Sequence, residues 1–175
     1  MAFIASHGTA PMIVLRPAQG VEVMTHVENQ REFVLHAHGL SPEGVATDLI
    51  RSLLGLLGPA GGQRESASVA PLQASGRTLE EMLEELARDF LETVESSPSR
   101  VVDAELSHVM KTGDVLRAWG YIWFGKEASV NRSFSVKGDL DLFTTEMEGF
   151  EVRVTLLVSG APLDAGTEAT ADRER

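Results

Sequence analysis

Apolar residues recur every three or four positions in the segment that follows Thr78, and this pattern predicts an amphipathic helix. Thr78 and Glu81 form a capping box, in which the Thr hydroxyl accepts from the Glu81 amide and the Glu carboxylate reaches back to the Thr78 amide. The apolar stripe continues through Val94, and Pro98 predicts that the helix ends near Ser96. One face of this helix is therefore directed to a core.

An earlier apolar stripe predicts a first helix, with Ser41 as its N-cap and Pro42 at the first helical position. It ends before the flexible segment "GPAGGQRESAS" at 58–68. The remaining segments are predicted to be strands, because β-forming residues alternate there with polar ones. The predicted strands are 11–16, 21–27, 101–110, 115–125, 133–143 and 150–158.

The two helical segments indicate an internal repeat. Gly39 and Gly76 each precede a helix start and lie 37 positions apart. At that displacement seven identities fall within the 23 positions from 35 to 57, where average composition gives about one or two. We interpret 33–57 and 70–96 as duplicated units of a strand, a glycine turn and a helix. The alternative is a chance likeness between two amphipathic helices.

These elements predict an α+β fold of two related strand–helix units, with two helices packed on a largely antiparallel sheet. We expect a single domain over residues 1–158, a length that buries a core without disulfides. From 159 to 175 the only large apolar side chain is Leu163, so we expect a disordered acidic tail.

The stretch "FVLHAHGLSPEG" at 33–44 contains His36 and His38, a spacing familiar from metal ligands on strands. Both histidines fall on one face of the predicted strand. The repeat places Gln73 and Ser75 at the equivalent positions, so this face is polar in both units. A pair of surface histidines is the favoured interpretation.

A divalent metal site is the alternative for these histidines, with His26 and Glu28 as the nearby residues that could complete it. Asp139 and Asp141 share another strand face, where paired carboxylates can also hold a divalent cation. A solvated strand surface is the favoured interpretation of both pairs, and no cofactor is expected.

The predicted strand at 115–125 carries the main candidate for a binding surface. Arg117, Trp119, Tyr121 and Trp123 fall on one of its faces, and they include both tryptophans and the only tyrosine of the chain. An aromatic face of this kind can stack bases, cover a ligand or form a protein interface. The alternative is a central strand that is covered on both faces.

The second helix is a further candidate, because it carries a net charge of −6 out of the chain's −11. Glu81, Glu84 and Glu85 are candidate contacts for a basic protein partner. The alternative is a solvated helix face on which Glu84 pairs with Arg88 at i, i+4.

Composition narrows the classes of function. A net charge of −11 disfavours autonomous binding of nucleic acid, whose affinity depends on Lys and Arg contacts with phosphate. The absence of cysteine excludes thiolate metal sites and a cysteine nucleophile. No signal peptide, membrane span or catalytic motif is recognisable, which favours a cytoplasmic protein that is not an enzyme.

The order of the elements resembles the archease family. The resemblance lies in a strand that ends in glycine, in the capped acidic helix "GRTLEEMLEELARDFLETVES", and in "SVKGDLDLF" and "GFEVRVTLLV". It spans roughly residues 25–158. It implies duplicated strand–helix–strand–strand units and a non-catalytic accessory protein, an activator or chaperone of an RNA ligase in tRNA splicing.

The chain departs from archeases where that family has its metal-binding acids. It reads "THVENQREF" in place of His-Thr-Ala-Asp and "VKGDLDLF" in place of Thr-Tyr-His-Gly. Its last strand ends in "LLVSG", without the family's aspartate. The resemblance thus implies a fold and a protein partner and assigns no site residue. The alternative function is a small-molecule binding or sensing domain that uses the aromatic strand face.

Overall fold

The computed structural model describes residues 21–27, 30–57, 66–129, 132–145 and 149–160, which form two helices and eight strands. The helices are α1 (Pro42–Leu56) and α2 (Leu79–Ser96). The strands are β1 (Val21–Val27), β2 (Gln30–Gly39), β3 (Ser68–Gly76), β4 (Ser99–Thr112), β5 (Val115–Ala128), β6 (Arg132–Val136), β7 (Asp141–Thr144) and β8 (Phe150–Gly160). This content confirms the predicted α+β class.

The strands are divided between two sheets, and every pairing within them is antiparallel. Sheet A has the order β1-β2-β8-β6, with β7 also paired to β8, and sheet B has the order β3-β5-β4. The continuous segment β3-α2-β4-β5 supplies all of sheet B and lies in the chain between α1 and the last strands of sheet A. The topology thus has the form of one strand–helix–strand–strand unit placed within another.

Both helices lie against both sheets and join them into one core. α1 packs on β2 of sheet A and β4 of sheet B, whereas α2 packs on β3 and β5 of sheet B and on β6 of sheet A. The buried apolar residues of the helices and the two sheets form a single continuous cluster. We call the face of each sheet that is turned away from the helices its outer face.

The helix starts follow the local sequence signals. Ser41 is the N-cap of α1, and its Oγ accepts a hydrogen bond from Gly44 N at 3.0 Å. Thr78 caps α2 in the same way, because its Oγ1 accepts from Glu81 N at 3.1 Å while the Glu81 carboxylate accepts from Thr78 N at 3.4 Å. The predicted N-caps and capping box are confirmed, and α2 ends at Ser96 as predicted.

Both strand–helix junctions depend on a close approach that only glycine permits. A Cβ on Gly39 would overlap the backbone of Gly44 and Val45, and a Cβ on Gly76 would overlap the backbone of Met82. Val45 and Met82 are separated by the same 37 positions as the two glycines. The start of each helix therefore rests directly on the end of the strand before it.

Side chains of the helices also form hydrogen bonds with backbone groups at the edges of the strands. Ser52 Oγ of α1 donates to His36 O at 3.1 Å, and 37 positions further along the chain Asp89 of α2 accepts from Gln73 N at 2.8 Å. Within the described residues no further strand pairs with these backbone groups, because β3 is an edge strand and the pairing of β1 with β2 reaches only Leu35. The helices thus satisfy polar groups that the sheets leave without partners.

The strand predicted at 133–143 is divided in the structure. β6 ends at Val136 and β7 begins at Asp141, and Gly138 between them has a φ of 73°, in the left-handed region that glycine adopts readily. The break places Leu140 in the core, where it is 1% exposed. β-forming residues flank the break on both sides, so the alternation of residue types did not reveal it.

Parts of the predicted organisation lie outside the described residues, namely the strand at 11–16 and most of the acidic tail. β8 continues to Gly160 and includes the first two residues of that predicted tail. Among the residues that are described, no helix is both long and apolar enough to cross a membrane.

Replacing Gly39 or Gly76 with Ala is expected to destabilise the fold by about 1–3 kcal/mol, because the added Cβ overlaps a helix backbone. Urea unfolding followed by circular dichroism measures the change. Gly55→Ala is the matched control, since a Cβ at that position in α1 meets no atom within 4 Å. This control is expected to stabilise the helix by about 0.5–1 kcal/mol. Unchanged unfolding midpoints for both junction variants would contradict the contact.

Candidate functional site

The central strand of sheet B, β5, separates a core face from a solvent face. Ala118, Ile122 and Phe124 point to the core and are at most 3% exposed. The opposite face carries the four residues predicted as a binding surface, namely Arg117, Trp119, Tyr121 and Trp123. The structure therefore brings these four candidates together on one surface.

The neighbouring strands extend this surface on both sides of β5. The register of β3 and β4 against β5 places one side chain from each strand in every cross-strand row. The four rows of the outer face of sheet B, read from β3 through β5 to β4, are Val69, Trp123 and Asp103; Pro71, Tyr121 and Glu105; Gln73, Trp119 and His108; and Ser75, Arg117 and Met110.

Three large apolar side chains on this face are open to solvent. Val69 is 51% exposed, and Met110 and Tyr121 are each 48% exposed. Within the described part of the chain, Leu40 and Phe143 are the only other large apolar residues in that exposed class. The interpretation of β5 as a strand covered on both faces therefore does not hold.

The aromatic rings are held by their neighbours on the sheet. His108 stacks on Trp119 with 4.8 Å between ring centroids and 29° between ring planes. Tyr121 and Trp123 lie 6.1 Å apart at 50°. Both tryptophans are half-buried, so Tyr121 is the most open of the three rings. Rings that are already ordered lose little side-chain entropy when a partner binds.

Charge is distributed unevenly over this face. Glu105 is exposed beside Tyr121 and makes no hydrogen bond or ion pair with any described residue. Asp103 is half-buried in the next row, and its Oδ1 accepts from Ala104 N at 3.0 Å. Arg117 is exposed at the opposite end of the face. The outer face of sheet B is therefore acidic at one end and basic at the other.

The outer face of sheet A carries a different, polar cluster around Glu151. His36 Nδ1 lies 3.6 Å from Glu151 Oε1, and His38 Nε2 lies 3.9 Å from Glu151 Oε2. Arg153 donates from Nε to Glu151 Oε1 at 3.1 Å, and its guanidinium carbon lies 4.9 Å from the centre of the Phe143 ring. The two histidines face outward, as the strand alternation predicts.

The electrostatics of this cluster favour an ionised Glu151. The hydrogen bond from Arg153 lowers the pKa of the Glu151 carboxyl below its ordinary value of 4.5, partial burial opposes this, and the charges of Arg153 and His38 lower the pKa further. His36 Nε2 is shielded from solvent and has no hydrogen-bond partner among the described residues. The carboxylate is thus already surrounded by donors from its own chain.

The metal candidates are only partly brought together. In the residues that the structure describes, no three His, Asp or Glu side chains are placed to hold a metal ion. Asp141 is exposed and lies opposite Arg153 in the pairing of β7 with β8, and Asp139 is exposed in the turn before it. The side chain of His26, on β1, and the whole of Glu28 lie outside the described residues. A metal site that uses His36 and His38 stays a prediction.

The acidic candidates on α2 are engaged within the helix itself. Glu81 completes the capping box. Arg88 donates to Glu84 Oε1 at 2.6 Å and to Glu85 Oε2 at 3.1 Å, so the predicted i, i+4 pair is confirmed and a second pair accompanies it. Contact of these carboxylates with a basic partner stays a prediction.

The residue pattern alone missed several members of both clusters. Val69, Glu105 and Met110 reach the aromatic face from strands on either side of β5, so their place depends on register. Glu151 stands out as the centre of the polar cluster only when β8 is paired with β2. The alternation in "FEVRVTLLV" does assign Glu151 to a polar face, but it does not indicate the neighbouring strand.

Comparisons with known proteins give a likeness to solved structures and none to a family model or a curated protein. The structure is similar to the solution structure of Methanobacterium thermoautotrophicum Protein 1598, with a TM-score of 0.48 and 16% sequence identity. The match covers 79% of this chain and 99% of that chain. Neither a family nor a function follows from a likeness at this level.

Replacing Arg153 with Met is expected to raise the pKa of Glu151 toward 4.5, because the Arg153 hydrogen bond is the largest cause of its lowering. A carboxyl titration by NMR measures this pKa directly. His38→Gln is the control, and it is expected to raise the pKa less because the charge of His38 is a smaller cause. An unchanged pKa in the Arg153 variant would contradict the assignment.

The same contact predicts how stability depends on pH. A carboxyl with a lowered pKa in the folded state stabilises the fold above its unfolded pKa, and this stabilisation is lost as pH falls through the folded pKa. The stability difference between wild type and Arg153→Met is therefore expected to be largest near neutral pH and to shrink below about 4.5. Thermal melts between neutral and acidic pH test this, and a constant difference would oppose it.

Proposed function

We propose that the protein is a non-catalytic accessory protein that binds a protein partner through the outer face of sheet B. One observation carries the proposal. Three of the five exposed large apolar side chains in the described residues, Val69, Met110 and Tyr121, lie on this one face. Several exposed apolar side chains on one face of a folded protein indicate an interaction surface, whereas single exposed apolar side chains are common on any surface.

The composition of the face suits a protein interface. Aromatic residues, Met and Arg are enriched in protein interfaces, and Trp, Tyr and Arg supply most of the residues whose truncation is costly. All of these residue types are present on the outer face of sheet B. Tyr121 is the proposed anchor, because it combines the greatest exposure among the rings with a central place between β3 and β4.

The open character of the face favours a protein over a small molecule. Sites for small ligands are concave and enclose most of the ligand surface. Tyr121 stands on the central strand of a three-stranded sheet and is 48% exposed, which offers little of that enclosure. Direct binding of nucleic acid is not part of the proposal, since the chain has a net charge of −11.

The archease resemblance supplies a specific candidate for the partner. It implies an accessory protein for the RNA ligase of tRNA splicing, and the placement of one strand–helix–strand–strand unit within another supports an archease-like organisation. We therefore propose an RNA ligase encoded in the same genome as the first partner to test. The metal-binding acids of archeases are not required for the binding step proposed here.

Capture of that purified ligase on the immobilised protein tests the proposal. Tyr121→Ala is expected to raise the dissociation constant about tenfold or more, because truncation of a central aromatic anchor is costly. Phe143→Ala is the matched control, since Phe143 is 42% exposed but lies on sheet A. The control is expected to bind as wild type does.

Circular dichroism is the control that checks whether both variants are folded. The proposal fails if the ligase is not captured above background, or if Tyr121→Ala and Phe143→Ala retain it equally well. A loss confined to Phe143→Ala would move the interface to sheet A and would also overturn the proposal.

A further inference from the structure

We infer that the outer face of sheet B recognises a basic polypeptide segment, and that Tyr121 and Glu105 together form the site for an Arg or Lys side chain. This inference rests on the proposed function, because it specifies the chemistry of the partner that the face would bind. It is carried by the juxtaposition of the most open ring of the face with an exposed carboxylate that has no partner in the described chain.

The register places this ring and this carboxylate side by side. Tyr121 of β5 lies directly opposite Glu105 of β4, and residues opposite each other in an antiparallel pair have Cβ atoms about 4.5–5.5 Å apart. Both side chains are exposed on the same face. On the other side of Tyr121, Pro71 of β3 adds an apolar neighbour.

The next row has a similar order of residue types, but its carboxylate, Asp103, is half-buried and already interacts with other groups of the chain. Trp123 lies between Asp103 of β4 and Val69 of β3, so two aromatic rings have carboxylates on one side and apolar residues on the other. Arg117 is four positions from Tyr121 along β5, or about 13 Å at the rise of an extended strand. The acidic end of the face is therefore well separated from its only Arg.

Such a site fits a guanidinium or ammonium group on a long apolar stem. A cation placed over an aromatic face is attracted by the ring quadrupole, and a neighbouring carboxylate adds a charge-assisted hydrogen bond. The methylene stem of Arg or Lys packs along apolar residues while its charged end reaches the carboxylate. Val69 and Pro71 supply that apolar border. A phosphate or an acidic segment would instead meet like charge at Glu105.

The net charge of the whole chain also favours a basic partner. A net charge of −11 raises the local concentration of basic partners and speeds their encounter with an acidic surface. The helix carboxylates Glu84 and Glu85 do not provide an equivalent site, because both are already paired with Arg88. Glu105 is thus the exposed carboxylate that is placed beside an aromatic ring and left without a counter-charge in the described chain.

The intrinsic fluorescence of the full chain reports on this face alone. The chain has two Trp and one Tyr, and all three lie on the outer face of sheet B. We would titrate the protein with a peptide of about ten residues in which Arg alternates with Ser, since alternate residues of an extended chain point to one side. A matched peptide with Glu in place of Arg is the comparison, and neither contains an aromatic residue.

The Arg peptide is expected to change the fluorescence saturably and to bind at least about tenfold more tightly than the Glu peptide. Glu105→Gln is expected to raise the dissociation constant of the Arg peptide about two- to fivefold, as for an exposed charge pair. Glu92→Gln removes the same charge from the exposed surface of α2 and is expected to have no effect. Tyr121→Phe should retain the affinity that Tyr121→Leu loses, because only Phe keeps the aromatic face.

The inference is overturned if the two peptides bind equally, or if Glu105→Gln and Glu92→Gln behave alike. The experiments distinguish failure of the proposed function from failure of this inference. If capture of the ligase depends on Tyr121 while the peptides do not differ, the interface stands and the cation site is overturned. If the Arg peptide binds through Glu105 while no ligase is captured, the cation site stands and the proposed partner is overturned.

Discussion

The fold depends on a contact between backbones that occurs twice. Gly39 and Gly76 end their strands where the first turn of the next helix rests on them, at Val45 and Met82. A Cβ at either glycine would push the helix away from its sheet. Because each helix also lies against the other sheet, displacement at one junction would open the core on both sides.

The position of the helices decides which surfaces are available for function. They fill the space on the inner faces of both sheets, so side chains on the outer faces need not contribute to the core. The two outer faces differ in their chemistry. His36 lies opposite Arg153 on sheet A, whereas the equivalent Gln73 on sheet B lies opposite Trp119.

The difference between the two outer faces lies in how their charges are satisfied. On sheet A the carboxylate of Glu151 is bonded by Arg153 and approached by two histidines of its own chain. On sheet B the carboxylate of Glu105 has no such donors in the described chain and stands beside an exposed ring. The carboxylate of the polar cluster on sheet A therefore already has its charge partners within the chain. The carboxylate on the aromatic face of sheet B can still pair with a cationic group of a binding partner.

Local sequence signals determined the helices, their caps, the two junction glycines and the face of β5 that carries Trp119, Tyr121 and Trp123. Capping, apolar periodicity and strand alternation act between residues only a few positions apart, so they can be recognised without a fold. The division into two sheets, the break at Gly138 and the meeting of Tyr121 with Glu105 were decided by the tertiary structure. These features depend on register between strands that are distant in sequence, and register is set by how the whole core packs.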